Sequence, residues 1–246
     1  MLKLLVLLFS AGKLGKVAIT GLTMIISVFA YTLVFGVWYA VGLVGLIFVH
    51  EMGHFMAARQ RGLAVGAPTF IPFVGAWVQL KTLPHDVETE VYVALAGPVA
   101  GTLVSIACYV LARSWHSDLL LALSYAGFLI NLFNLIPLAP FDGGRITSIV
   151  SPRVWLLGVP ILIALFVWRP SPMLLLVALL AAPHVWKAVK FDRRDPANAV
   201  YYDVPVRTRI LYGVTYLALA SYLAVMTGDV HDMLQSARPS GPEETL

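Results

Sequence analysis

The sequence predicts an all-α polytopic membrane protein, with about six to seven transmembrane helices and a small membrane-associated β region between the second and third. Three observations carry that prediction. The 246 residues are 59% hydrophobic and only 12% charged, with a mean hydropathy of +0.84, which is more apolar surface than a soluble globule can cover. Apolar runs recur near 17–35, 37–57, 91–112, 118–138, 154–168, 172–189 and 208–227, with lengths suited to a hydrocarbon core about 30 Å thick. When these runs are threaded alternately, the basic residues collect on one side.

Taken in order, the opening stretch MLKLLVLLFSAGKLGKVAITG runs straight into further hydrophobic sequence. It therefore reads as an amphipathic or partly buried lead-in and not as a secretory signal. Little more than Gly36 separates the first two runs. Between the second and third lies AVGAPTFIPFVGAWVQLKTLP, residues 64–84, rich in β-branched, aromatic, proline and glycine residues and too interrupted for a spanning helix. It predicts short strands dipping toward the membrane, whose exposed edge either pairs with an extended peptide or serves only for packing. His85, Asp86, Glu88 and Glu90 form a charged connector expected to be a solvated helix start. The fifth and sixth runs are short and joined by RPSP, which fits a tight transmembrane hairpin or a re-entrant pair. The expected organisation is a membrane core over residues 1–190, with its motifs in 37–147, then a cytoplasmic connector at 191–207, a C-terminal transmembrane helix at 208–227 and a disordered tail at 228–246.

With the N-terminus in the cytoplasm, all but Arg113, Arg169 and Arg238 of the 17 lysines and arginines fall on the cytoplasmic side. The net charge of +4 is thus a topology signal. Basic residues that flank spans, without one aromatic-laced face, exclude a nucleic-acid partner. The single cysteine, Cys108, lies in an apolar run and reads as a small buried hydrophobe.

The second run ends in HEMGH, residues 50–54. Ionisable groups inside a membrane span are costly and mark functional sites. His50 and His54, four residues apart, lie one turn apart on the same face of a helix and can share one zinc ion. Glu51 follows the first histidine, where it can act as general base on a water activated by the metal. A catalytic zinc needs a third protein ligand and an open position. Asp142 is the candidate, in NLFNLIPLAPFDGGRI, residues 131–146. Pro137 and Pro140 end the helix there, and Gly143 and Gly144 allow the chain to fold back. Taken alone, Asp-Gly-Gly is also an ordinary exposed turn. Parity offers a check, since alternate threading puts HEMGH and Asp142 at the same face.

These motifs together, H-E-x-x-H in a membrane segment and N-x-x-P-x-x-P-x-D-G-G at the end of another, resemble the site-2 protease family of intramembrane zinc metalloproteases, in a compact form without a PDZ or CBS domain. The matching residues are His50, Glu51, His54, Asn134, Pro137, Pro140, Asp142 and Gly143, with ALAGPVAG resembling the family's Gly-Pro motif through Gly97, Pro98 and Gly101. The resemblance implies one catalytic zinc held by His50, His54 and Asp142, water activation by Glu51, and substrate positioning or oxyanion stabilisation by Asn134. It also implies regulated intramembrane proteolysis of transmembrane protein substrates in the lipid bilayer, with selection left to the core, the short loops or a regulatory membrane partner. Two other classes share the metal: a catalytically silent membrane-helix binder, and a zinc transporter, which would need ionisable residues along several spans. The remaining histidines, His85, His116, His184 and His231, are expected away from the site.

Overall fold

The computed structural model describes residues 2–73 and 75–236, with side chains from residue 18 onward. Its helices are α1 (Leu2–Phe35), α2 (Val37–Gln60), α3 (Val87–Trp115), α4 (Asp118–Asn134), α5 (Asp142–Thr147), α6 (Gly158–Trp168), α7 (Pro172–Val189), α8 (Pro196–Tyr201) and α9 (Val206–Ser236). A two-stranded antiparallel sheet, β1 (Thr69–Ile71) and β2 (Gly75–Trp77), lies between the second and third helices. The chain is an integral membrane protein of the expected helical class. Among the described residues, five helices are long and apolar enough to cross a membrane: α1 over Ala18–Phe35, α2, α3, α7 and α9.

The other two apolar runs form shorter helices. Seventeen residues of α4 rise about 25 Å, and α4 lies inside the bundle against α2, α3 and α9. The run at 154–168 divides into a 3-10 turn, Pro152–Leu157, and α6. Eleven residues of α6 reach only about 16 Å, so this run does not cross as one straight helix. Backbone placement makes the N-terminal lead-in continuous with the first span, in α1. At the other end α9 continues to Ser236, so residues 228–236 are helical where a disordered tail was expected; residues 237–246 lie outside the described part.

Between α1 and α2 the chain turns back at Gly36, whose φ of 82° suits a residue without Cβ. The hairpin then runs along α1. Thr20 donates to the Pro68 carbonyl at 2.6 Å, Thr23 accepts from the Phe70 amide at 3.3 Å, and the Tyr31 hydroxyl accepts from the Phe73 amide at 3.1 Å. Eleven residues of helix separate the first anchor from the last, so the hairpin descends about 16 Å along an apolar span. That is the dipping β region the composition of 64–84 predicts.

Asp86 caps α3 by accepting from the Thr89 amide at 2.6 Å. The acidic start of α3 is less solvated than expected. Glu90 accepts from Arg145 Nε at 3.2 Å and from the Tyr201 hydroxyl at 2.6 Å, tying α3, α5 and the 191–207 connector together. Burial, and then the Glu90 carboxylate, push the neighbouring Tyr202 up to about 12, so that phenol stays neutral. At this same end Arg61 meets Glu88 at 3.7 Å. Arg113, His116 and Asp118 gather with Asp229 and Asp232 around a separate cavity between the end of α3, the start of α4 and the end of α9. This cavity lies at the opposite end of α3 from the Glu90 cluster.

The break after α4 positions everything that follows. Pro137 disfavours helix at the residue before it and clashes with the carbonyl four residues back, so α4 stops at Asn134. The turn that follows is held from outside by Tyr216 of α9, which donates to the Leu135 carbonyl at 2.7 Å. Trp155 Nε1 donates to the Gly144 carbonyl at 2.6 Å. A Cβ on Gly143 would overlap the backbone of Leu135 and Ile136, and one on Gly144 would overlap that of Ala139. The paired glycines therefore let α5 lie flush on the turn that leads into it. Gly144→Ala should lower the unfolding temperature of the purified protein by the equivalent of about 1–3 kcal/mol; an unchanged transition would mean that α5 is not seated this tightly.

Candidate active site

His50, Glu51 and His54 lie within the last three turns of α2, and all are buried, at 5%, 7% and 8% exposure. Asp142, the first residue of α5, is buried to 9%. The turn after α4 brings it back against the histidines from 92 residues away. Its Oδ2 lies 3.2 Å from His50 Nε2 and 3.2 Å from His54 Nε2, and the two Nε2 atoms are 3.1 Å apart. Among the described residues these three form the group of side chains able to hold a metal ion.

The donor set fits zinc. Two ligands at about 2.0–2.1 Å in a tetrahedral shell lie about 3.3 Å from each other, and the three observed separations fall just inside that value. The chemistry agrees. His54 Nδ1 is 2.8 Å from the Val93 carbonyl, which can only accept. The neutral ring therefore carries its proton on Nδ1 and turns the Nε2 lone pair toward the Asp142 carboxylate. Acceptors facing one another in a buried site need a cation between them.

Helix α3 shapes the space around the histidines. Val93 and Gly97, one turn apart on one face, give His54 a carbonyl acceptor and a bare surface. A Cβ on Gly97 would overlap the His54 ring, and one on Gly101 would overlap the Asn131 side chain. Pro98 lies in the interior of α3 beside them, and its carbonyl accepts from Thr102 Oγ1 at 2.6 Å. Gly53 of α2 meets the Ala96 carbonyl in the same way. The Gly-Pro motif is thus the surface on which the H-E-x-x-H turn packs.

A cavity of about 560 Å³ opens beside the cluster, a size typical of ligand sites. His50, Glu51, His54, Asp142, Asn134 and Pro140 all line it. Asn134, at the last turn of α4, makes no side-chain hydrogen bond among the described residues and faces this space. Pro137 stands outside the lining and acts through the break it imposes on α4. His85, His116, His184 and His231 line no part of it. Asn131 escaped the sequence reading: its Oδ1 is 2.9 Å from His50 Nδ1. The available signal was a second polar side chain one turn before Asn134 in an otherwise apolar helix.

The hairpin forms one wall, through Gly75, Ala76, Trp77 and Val78. Its register pairs Thr69 with Trp77, Phe70 with Ala76 and Ile71 with Gly75. The Phe70 amide points away from β2, to Thr23, so Phe70 and Ala76 are a pair without ladder hydrogen bonds. The Ala76 amide and carbonyl consequently point to the other edge. Two residues on, Val78 lines the cavity together with Glu51. The outer edge of β2 therefore ends beside Glu51.

Parts of the chain resemble known proteins. Residues 38–117 match the family model described as Peptidase family M50. Over 75 residues the chain is 37% identical to "Probable zinc metalloprotease EGY1, chloroplastic" of Arabidopsis thaliana, covering 28% of this chain and 14% of that protein. Over 112 residues it is 27% identical to "Zinc metalloprotease MJ0392" of Methanocaldococcus jannaschii, covering 44% and 32%. The alignments thus span well under two thirds of either relative. The structure is also similar to that of the site-2 protease from Methanocaldococcus jannaschii, with a TM-score of 0.45 and 21% identity over 70% of this chain and 87% of that one. The resemblance read from the motifs to the site-2 protease (Peptidase M50) family is borne out by the family and sequence matches.

Metal analysis tests the site directly. The purified protein should carry one divalent ion per chain, and His54→Ala or Asp142→Ala should lose it. Glu51→Gln should keep it, because Glu51 stands outside the converging trio. Full occupancy in Asp142→Ala would sink the three-ligand arrangement.

Proposed function

We propose that this protein is an intramembrane zinc metalloendopeptidase, which hydrolyses peptide bonds within or near the transmembrane segments of membrane-protein substrates. The observation that carries this reading is the convergence of His50, His54 and Asp142 beside Glu51, in a cavity inside a bundle of membrane-length helices. The names of the relatives, zinc metalloproteases, support both the metal and the reaction. Zinc held there supplies a Lewis acid that makes water acidic near neutral pH and polarises a carbonyl.

The residues of the chain perform the remaining work. His50, His54 and Asp142 hold the ion and leave the cavity side open for water and substrate. Glu51 accepts the proton of the attacking water on its carboxylate and delivers it to the leaving amine nitrogen. Asn134, free on the cavity wall, donates its amide to the oxygen on which negative charge develops. The outward amide and carbonyl of Ala76 receive the substrate backbone as an added strand, which holds it extended and leads it to Glu51. An extended backbone matters, because the carbonyls of a helical substrate are shielded by their own hydrogen bonds.

The distribution of lysine and arginine supports an N-terminus and an active site on the cytoplasmic side. Substrates are transmembrane proteins that enter from the lipid, in regulated intramembrane proteolysis, with a membrane partner able to act as regulator.

The deciding experiment compares new protein termini by mass spectrometry in cells expressing wild type or Glu51→Gln at matched levels. Termini within or beside transmembrane spans are expected with the wild type alone. Indistinguishable samples from two zinc-loaded proteins would favour a silent helix binder. Ala76→Pro gives a separate check. The Ala76 amide makes no ladder bond, so proline spares the hairpin, yet cleavage should fall about tenfold, one hydrogen bond's worth, with zinc content unchanged. Undiminished cleavage by Ala76→Pro would remove strand addition at this edge from the mechanism.

A further inference from the structure

We propose that Asn131 is the positioning residue of the metal site: it selects the ring tautomer of His50 and so makes His50 Nε2 a ligand. The inference rests on the metal reading of the cluster, but not on proteolysis.

Three contacts in series carry it. The Asn131 side chain is buried, at 3% exposure, and has two polar neighbours. Its Nδ2 donates to the Gly127 carbonyl at 2.7 Å. A carbonyl can only accept, so the amide nitrogen must be the end that faces Gly127, and the amide oxygen is left facing His50. Oδ1 lies 2.9 Å from His50 Nδ1. An amide oxygen also only accepts, so the imidazole must carry its proton on Nδ1. In the neutral ring Nε2 is then a bare lone pair, 3.1 Å from the Nε2 of His54 and 3.2 Å from Asp142 Oδ2. One backbone carbonyl on α4 thereby fixes a tautomer on α2.

The amide is clamped as well as paired. Gly101 offers no side chain where Asn131 lies, and any Cβ there would displace it. One turn further along α3, Ser105 donates to the Gly101 carbonyl at 2.7 Å, and a Cβ on Gly127 would overlap its hydroxyl. Close approach of α3 and α4 along these small residues leaves the amide no room to flip. His54 obtains the same tautomer from a backbone acceptor, the Val93 carbonyl at 2.8 Å. His50 has only a side chain to do this, so its ligand state can be changed by one substitution outside the metal shell. Second contacts of this kind typically govern 10- to 100-fold in metal affinity.

The test measures zinc retention by the purified full chain against graded chelator, for wild type, Asn131→Leu, Asn131→Asp and Ser105→Ala. Leucine keeps the volume and removes the acceptor, and should weaken zinc about 10- to 100-fold. Aspartate gives up the bond to Gly127 but keeps an oxygen toward His50, and should stay within about threefold of wild type, well above leucine. Ser105→Ala perturbs the same helix seam and should leave affinity unchanged. Equal affinity of wild type and Asn131→Leu would overturn the proposal, as would Asn131→Asp weakening zinc as much as leucine does. Should the leucine variant fail to fold, nitrogen NMR of histidine-labelled, zinc-free wild type decides: an Nδ1-protonated His50 ring is expected, and an Nε2-protonated one would overturn it. A wild-type protein that takes up no zinc would overturn the metal reading itself, whereas zinc uptake indifferent to Asn131 would overturn this inference alone.

Discussion

Three electron-pair donors held 3.1–3.2 Å apart in the interior of an apolar bundle are the constraint on which the rest of this structure depends. Such atoms repel one another, and burial removes the water that would screen them. They stay together because each is gripped from behind. The Val93 carbonyl and the Asn131 amide hold the two rings by their Nδ1 atoms, and the turn after α4 drives Asp142 inward against both. The cost of assembling the cluster is thus met by packing elsewhere, and a cation between the donors relieves it.

Much of the surrounding architecture follows from that grip. The glycines of α3 are spaced one turn apart because two polar side chains, His54 and Asn131, must lie flat against one helix. The glycines of α5 allow the aspartate's short helix to sit on the turn before it. Tyr216 from α9 and Trp155 from the 3-10 turn fasten that segment through backbone carbonyls at Leu135 and Gly144. Glu90, Arg145 and Tyr201 fasten it from the connector side. Helix α9, far from the histidines in sequence, is therefore part of the support of the site.

The hairpin shows a second economy. Its inner strand spends an amide on α1, at Thr23, and this choice turns the polar groups of Ala76 to the opposite edge, toward the cavity. Lipid cannot satisfy exposed backbone groups, so a strand edge at this depth is tolerated only where it borders a cavity. Attachment of β1 to α1 and availability of β2 to an extended peptide are two results of one register.

What the sequence by itself determined is what depends on local period and on composition. The apolar runs predict the helices, because a bilayer sets their length. The four-residue spacing of His50 and His54 predicts a shared ligand face, because 3.6 residues make a turn. Interrupted, proline- and glycine-rich sequence at 64–84 predicts the hairpin. The division of 154–168 into a turn and a short helix, and the continuation of α9 to Ser236, depended on neighbouring segments and were not legible. Nor was Asn131, for its role exists only through a ring nitrogen 81 residues away, and nothing in its own helix separates it from Asn134 three residues later. Asp142 stands between these cases: its motif was readable, but alone it matched an exposed turn. Only the tertiary structure decided that it faces inward, because the direction of a side chain after a proline-broken turn is set by what the turn packs against.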